Sequence, residues 1–98
     1  MKGDVDGAMA NYNQAIKLSP SYAFAYSDRG IIKERKGDLD GAMADFNQAI
    51  KINPKYAAAS GNRGDAKREK GDLKGADADF NLAVKPGSQS ANEVEFPD

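Results

Sequence analysis

A sixteen-residue block occurs three times in this chain at a fixed offset of 34, and no other feature limits the fold so tightly. Residues 2–17 read KGDVDGAMANYNQAIK, residues 36–51 read KGDLDGAMADFNQAIK, and residues 70–85 read KGDLKGADADFNLAVK. The first two differ only at Val5/Leu39, Asn11/Asp45 and Tyr12/Phe46. Between the blocks, Arg29-Gly30 and Arg63-Gly64 recur at the same offset. A unit of this length cannot enclose a core of its own. It buries its apolar side only against neighbours like itself, so the period predicts a stacked array.

Each block has helical periodicity. Leu39, Ala42, Phe46, Ala49 and Ile50 follow the three-and-four spacing that places them on one stripe, whereas a strand would alternate. Gly37-Asp38 supplies a turn and an N-cap, because the Asp38 carboxylate can accept from backbone N–H groups that have no helical partner. Asp40 in the first turn and Lys51 in the last suit the helix dipole. Asn53-Pro54 stops the helix. The intervening residues 22–35 and 56–69 are predicted as partner helices. The second is the weaker, since Gly61 and Gly64 each cost about 1 kcal/mol against alanine in a helix interior. Gly30 and Gly64, with alanine at 8, 42, 76, 15, 49 and 83, mark expected points of close approach between helices.

Composition narrows function by exclusion. Fourteen basic and fifteen acidic residues leave a formal charge of -1, so no global field draws in nucleic acid or an acidic membrane surface. With neither Cys nor His, disulfides, thiolate metal sites, the commonest general base and the commonest zinc ligand are all absent. Apolar runs are too short to span a membrane, and the start Met1-Lys2-Gly3-Asp4 lacks a signal-type apolar stretch, which leaves the cytoplasm as the default compartment. Asp38-Leu39-Asp40-Gly41 echoes the start of a calcium loop, but the third ligand and the closing Glu are missing. No phosphate loop or dinucleotide fingerprint is formed by the Lys-Gly-Asp glycines. Neither a cofactor nor a catalytic constellation is expected, so the chain reads as a binding module and not an enzyme.

The 34-residue spacing resembles the tetratricopeptide family. Tyr26, Arg29-Gly30 and Lys33 stand at the family's first-helix signature positions, and Ala42, Phe46 and Pro54 at its Ala, Phe and Pro. The resemblance implies an all-α fold of tandem antiparallel hairpins in an α-solenoid, with about two and a half repeats and five helices across residues 1–85. Arg29, Arg63, Lys33 and Lys67 depart from the signature. Their aliphatic stems are expected to cover apolar surface while the charges reach water.

The resemblance also implies a concave face, lined by first helices, that binds a protein or peptide partner. Its positions correspond to Phe24, Ser27, Asp28, Ile31 and Arg35, then Ala58, Gly61, Asn62, Asp65 and Arg68. Of the residues that grip C-terminal carboxylates in one branch of the family, Asn62 alone is matched.

The array begins at the second helix of a hairpin. Its apolar stripe Val5, Met9, Tyr12 and Ile16 is therefore expected to lie partly bare. Full burial of four such side chains is worth roughly 6 to 12 kcal/mol, so a cover is expected: a second copy in a homo-oligomer, or upstream residues of a longer array. The other end is expected to act as an imperfect cap, with Asp77 where the earlier blocks carry Met9 and Met43. Residues 86–98 read as a flexible acidic tail, with docking of residues 93–96 in a groove as the alternative.

Overall fold

The computed structural model describes residues 4–85 and Gly87. Five helices form there: α1 (Asp4–Leu18), α2 (Ala23–Arg35), α3 (Leu39–Ile52), α4 (Ala57–Glu69) and α5 (Leu73–Ala83). The expected tail and its docking segment lie outside the described residues.

The repeated Lys-Gly-Asp segment ends one helix and starts the next. Gly37 takes φ +87, where a side chain would be strained, and it lets two backbone bonds close behind α2. Gly37 N–H donates to the Glu34 carbonyl at 2.9 Å and Asp38 N–H to the Lys33 carbonyl at 2.8 Å, the paired bonds of a Schellman cap. Asp38 then caps α3, accepting from Gly41 N–H at 2.9 Å. Gly71, Asp72 and Gly75 repeat the device before α5. In contrast, α5 ends at Ala83, two residues short of its block, because Pro86 biases the residue before it away from helix.

Helices α2 and α3 form one hairpin and α4 and α5 the next; α3 also packs on α4, α1 on α2, and α2 lies beside α4. The predicted close approach at Gly30 is real, since a Cβ there would sit 2.6 Å from the Phe46 ring. Phe80 fills the same space over Gly64. That packing overrides the two glycines, and α4 is as long as α2 at 13 residues.

The core is thin and lies in two clusters. One joins Ala23, Ala49, Tyr56 and Ala59; the other joins Ala42, Phe46 and Ala66. Ala42, Ala49 and Ala76 are buried as expected, whereas Ala8, Ala15 and Ala83 are only half-buried. For Ala8 and Ala15 the reason is geometric. Among the described residues, no helix occupies, beside α1, the place that α2 takes beside α3.

Candidate functional site

The first departure from expectation concerns the cations of α2 and α4. Their charges do not reach out to water; they turn inward onto a buried carboxylate. Arg29 donates to both oxygens of Asp45, at 2.8 and 2.7 Å, and Lys33 approaches the same carboxylate at 3.1 Å. Arg63 and Lys67 hold Asp79 in the same way, at 2.8, 2.6 and 3.1 Å. A buried carboxylate is costly unless paired and fully hydrogen-bonded, and the Arg fork with a nearby Lys meets both conditions. Burial pushes the Asp79 carboxyl up, but the bonds and charges of Arg63 and Lys67 outweigh it and hold the group below the usual carboxylate range.

The same arginines link one hairpin to the helix before it. Arg29 donates a further bond to Asn13 Oδ1 at 2.9 Å, and Arg63 to Asn47 Oδ1 at 3.0 Å. Lys36 reaches Asp6 at 3.2 Å, and Lys70 meets Asp40 likewise. Every one of these bonds repeats 34 residues later. The polar ladder therefore sets the register of the stack, while the apolar contacts bring the helices together.

Where α1 meets α2 the surface opens into a cleft of about 300 Å³, lined by Ala8, Tyr12, Asp28, Ile31, Ile32 and Arg35. A second hollow of about 180 Å³, lined by Asp4, Val5, Ala8, Ile32 and Arg35, continues it toward the start of α1. The groove has an apolar floor between unlike ends. Asp28 and Arg35 are seven residues apart on α2, about 10 Å along the axis. Tyr12 donates to Asp28 at 3.0 Å. Burial raises the Asp28 carboxyl above its ordinary value despite the bond from Tyr12. It raises the Tyr12 phenol as well, with Asp28 adding to the effect.

Of the expected concave positions, Asp28, Ile31 and Arg35 come together in this groove. Phe24 packs beside the first core cluster, as does Ala58. Ser27 is buried and accepts from Asn62 Nδ2 at 3.2 Å, so this pair joins α2 to α4. Gly61 faces α5, where a Cβ would meet Ala83 at 3.9 Å. Asp65 accepts from Arg68 at 3.0 Å, and the Arg68 guanidinium lies 5.6 Å from the centre of the Phe80 ring.

Two features escaped sequence reasoning. Glu34 is driven up to about 7 by burial and by the neighbouring acids Glu69 and Asp65. Its counterpart one repeat later is Arg68, a reversal of sign that marks the position as special. Asp45 and Asp79 interrupt an otherwise apolar stripe, and that interruption was the legible sign of the buried ion clusters.

On the outer side of α5, Asp77 is exposed, as the cap expectation requires, but Leu82 and Val84 are exposed as well. No described helix is long and apolar enough to cross a membrane.

Comparison with known proteins places this geometry. No match was found among curated proteins. Among solved structures, one described as the crystal structure of MamA superposes with a TM-score of 0.78 at 28% identity, over 84% of this chain and 48% of that one. A second, described as the crystal structure of MamA protein, gives a TM-score of 0.75 at 28% identity, over 84% of this chain and 45% of that one. The chain thus spans about half the length of each. The sequence profile of the TPR repeat matches residues 2–37 and 34–71, which together cover more than half of the chain. With its period, its paired helices and this match, the chain belongs to the tetratricopeptide (TPR) repeat family.

Proposed function

We propose that the groove between α1 and α2 binds a segment of a protein partner. TPR modules generally scaffold protein interactions and are typically non-catalytic. The observation that carries the reading is the convergence of Asp28, Ile31 and Arg35 with Ala8 and Tyr12 around one cleft. Its apolar floor suits an aliphatic or aromatic anchor, and its ends suit a cation beside Asp28 and a carboxylate beside Arg35. The α4 positions lie beyond the groove: Asn62 bonds Ser27 of α2 and Ala58 packs beside the cluster that holds Ala23, whereas Gly61 and Arg68 face α5 and Asp65 pairs with Arg68.

A peptide library selected on the immobilised protein tests this reading. Selected peptides are expected to lose at least about tenfold in affinity to the Ile31→Glu variant, because a charge would replace the apolar floor. Affinity unchanged by Ile31→Glu and by Arg35→Glu would refute the site.

A second reading, self-assembly through α1, is favoured by one observation. Residues of α1 whose α3 counterparts are fully buried stand half-buried or exposed. Of the expected stripe Val5, Met9, Tyr12 and Ile16, only Tyr12 differs in this way. Val5, Met9 and Ile16 are half-buried, and so are Leu39, Met43 and Ile50. The bare face is centred instead on Ala8, Asn11, Tyr12 and Ala15.

A further inference from the structure

We propose that α1 pairs with α1 of a second copy, antiparallel, across a two-fold axis through Asn11. The inference rests on the self-assembly reading and names the partner and the geometry. Its starting point is a difference between repeats. In α3 and α5, the residue at the centre of the covered face is a carboxylate, Asp45 or Asp79, held by an Arg and a Lys of the helix before it. At the corresponding place in α1 the residue is Asn11, which is exposed.

A first helix carrying Arg and Lys would leave those cations without a carboxylate on α1. The face of α1 is thus ill-matched to the helix type that covers α3 and α5. An amide, in contrast, is both donor and acceptor, so two copies of Asn11 can satisfy each other across an axis. A carboxylate at that point would meet only its own charge.

The surrounding residues fit the same arrangement. Asp4, Ala8, Asn11, Ala15 and Leu18 follow the alternating four-and-three spacing of a helix–helix seam. Asn11 is the midpoint of α1 (Asp4–Leu18), so an antiparallel pair centred there overlaps over its full length. The two alanines allow close approach. Leu18, which is 73% exposed, then lies against the first turn of the other copy, beside Asp4.

The outer side of α5 is the other candidate to meet α1, and it is the worse fit. Lys74 stands there where Asp6 and Asp40 bind Lys36 and Lys70, and Asp77 replaces a methionine. Those charges would face the neutral Ala8, Asn11 and Ala15. An isologous contact also closes on itself, whereas α1 on α5 would propagate. Because Ala8 and Tyr12 also line the groove, pairing and peptide binding compete for the same wall.

The chain has no cysteine, so Asn11→Cys introduces a single thiol, and only a residue near a two-fold axis reaches its own copy. The expected result is a covalent dimer of Asn11→Cys under mild oxidation at dilute concentration, with Asn47→Cys remaining monomeric. Sedimentation is expected to show a dimer for the native chain. Asn11→Asp should weaken it by about tenfold or more at neutral pH, with helix content by circular dichroism unchanged. Oligomers that Ala8→Arg breaks but Asn11→Cys does not cross-link would overturn the two-fold geometry and leave self-assembly standing. A native chain that stays monomeric at all concentrations would overturn both.

Discussion

Helices α1 and α3 have nearly the same sequence and quite different surroundings. Over their blocks they differ at three positions, two of them conservative. Yet Ala42, Asp45, Phe46 and Ala49 are buried, while Ala8, Tyr12 and Ala15 are half-buried and Asn11 is exposed. The difference is the helix on one side: α2 closes over α3, whereas among the described helices α1 packs chiefly on α2, on its other side. In a repeat protein, burial belongs to the neighbour as much as to the residue. The same alanine is core in one copy and surface in the next.

Substitutions made in pairs, one in each copy, sharpen this comparison. The largest single effect is expected for Phe46→Ala, set against Tyr12→Ala. Removal of the fully buried Phe46 ring should cost about 3 to 5 kcal/mol. Tyr12→Ala, at a half-open site, should cost about 1 to 2 kcal/mol by urea denaturation. Equal costs would break the comparison at its centre.

Next come the polar partners. Asp45→Ala strands Arg29 and Lys33 and should destabilise by about 3 kcal/mol. Asn11→Ala strands nothing and should stay within about 0.5 kcal/mol.

A smaller effect, opposite in sign between copies, is expected at Gly7 and Gly41. A Cβ on Gly7 meets nothing within 4 Å, so Gly7→Ala should stabilise by about 0.5 to 1 kcal/mol. A Cβ on Gly41 would collide with the capping carboxylate of Asp38, so Gly41→Ala should destabilise by about 1 kcal/mol through loss of that cap. Thermal melts read both.

The smallest effect lies at the seam of α2 and α4 and depends on pH. Glu34 titrates at about 7 in the folded chain against 4.5 as its ordinary value. The folded state therefore holds the extra proton between those values, and stability falls as pH rises through that window. Solvent screening of this partly exposed group limits the change to about 1 kcal/mol or less. Glu34→Gln should flatten the slope between pH 5 and pH 7 by about that amount. Asp79 acts in the opposite direction, since its depressed value gives stability that is present at neutral pH and lost as pH falls through the acid range.

How much of this was legible in the sequence follows from the kind of interaction. Periodicity, the Asp38 cap and the close approach at Gly30 are set by local geometry or by the fixed offset, and all three could be read directly. The inward turn of Arg29 and Lys33 could not be read as easily. Solvent-seeking stems and a buried pair are equally compatible with a cation beside an apolar stripe, and only the phase of Asp45 distinguishes them. The groove was half legible: Asp28, Ile31 and Arg35 meet in it, whereas Ser27, expected on the concave face, is buried and bonded to Asn62. Which face of α1 lies bare depends on where α2 sits, and that required coordinates.

Coverage by a neighbouring helix, and not the helix's own sequence, decides how firmly each repeat is held. Native-state hydrogen exchange on dilute protein measures this helix by helix. Amides of α1 are expected to exchange at least about tenfold faster than their counterparts in α3. Equal protection of the two helices would contradict the account.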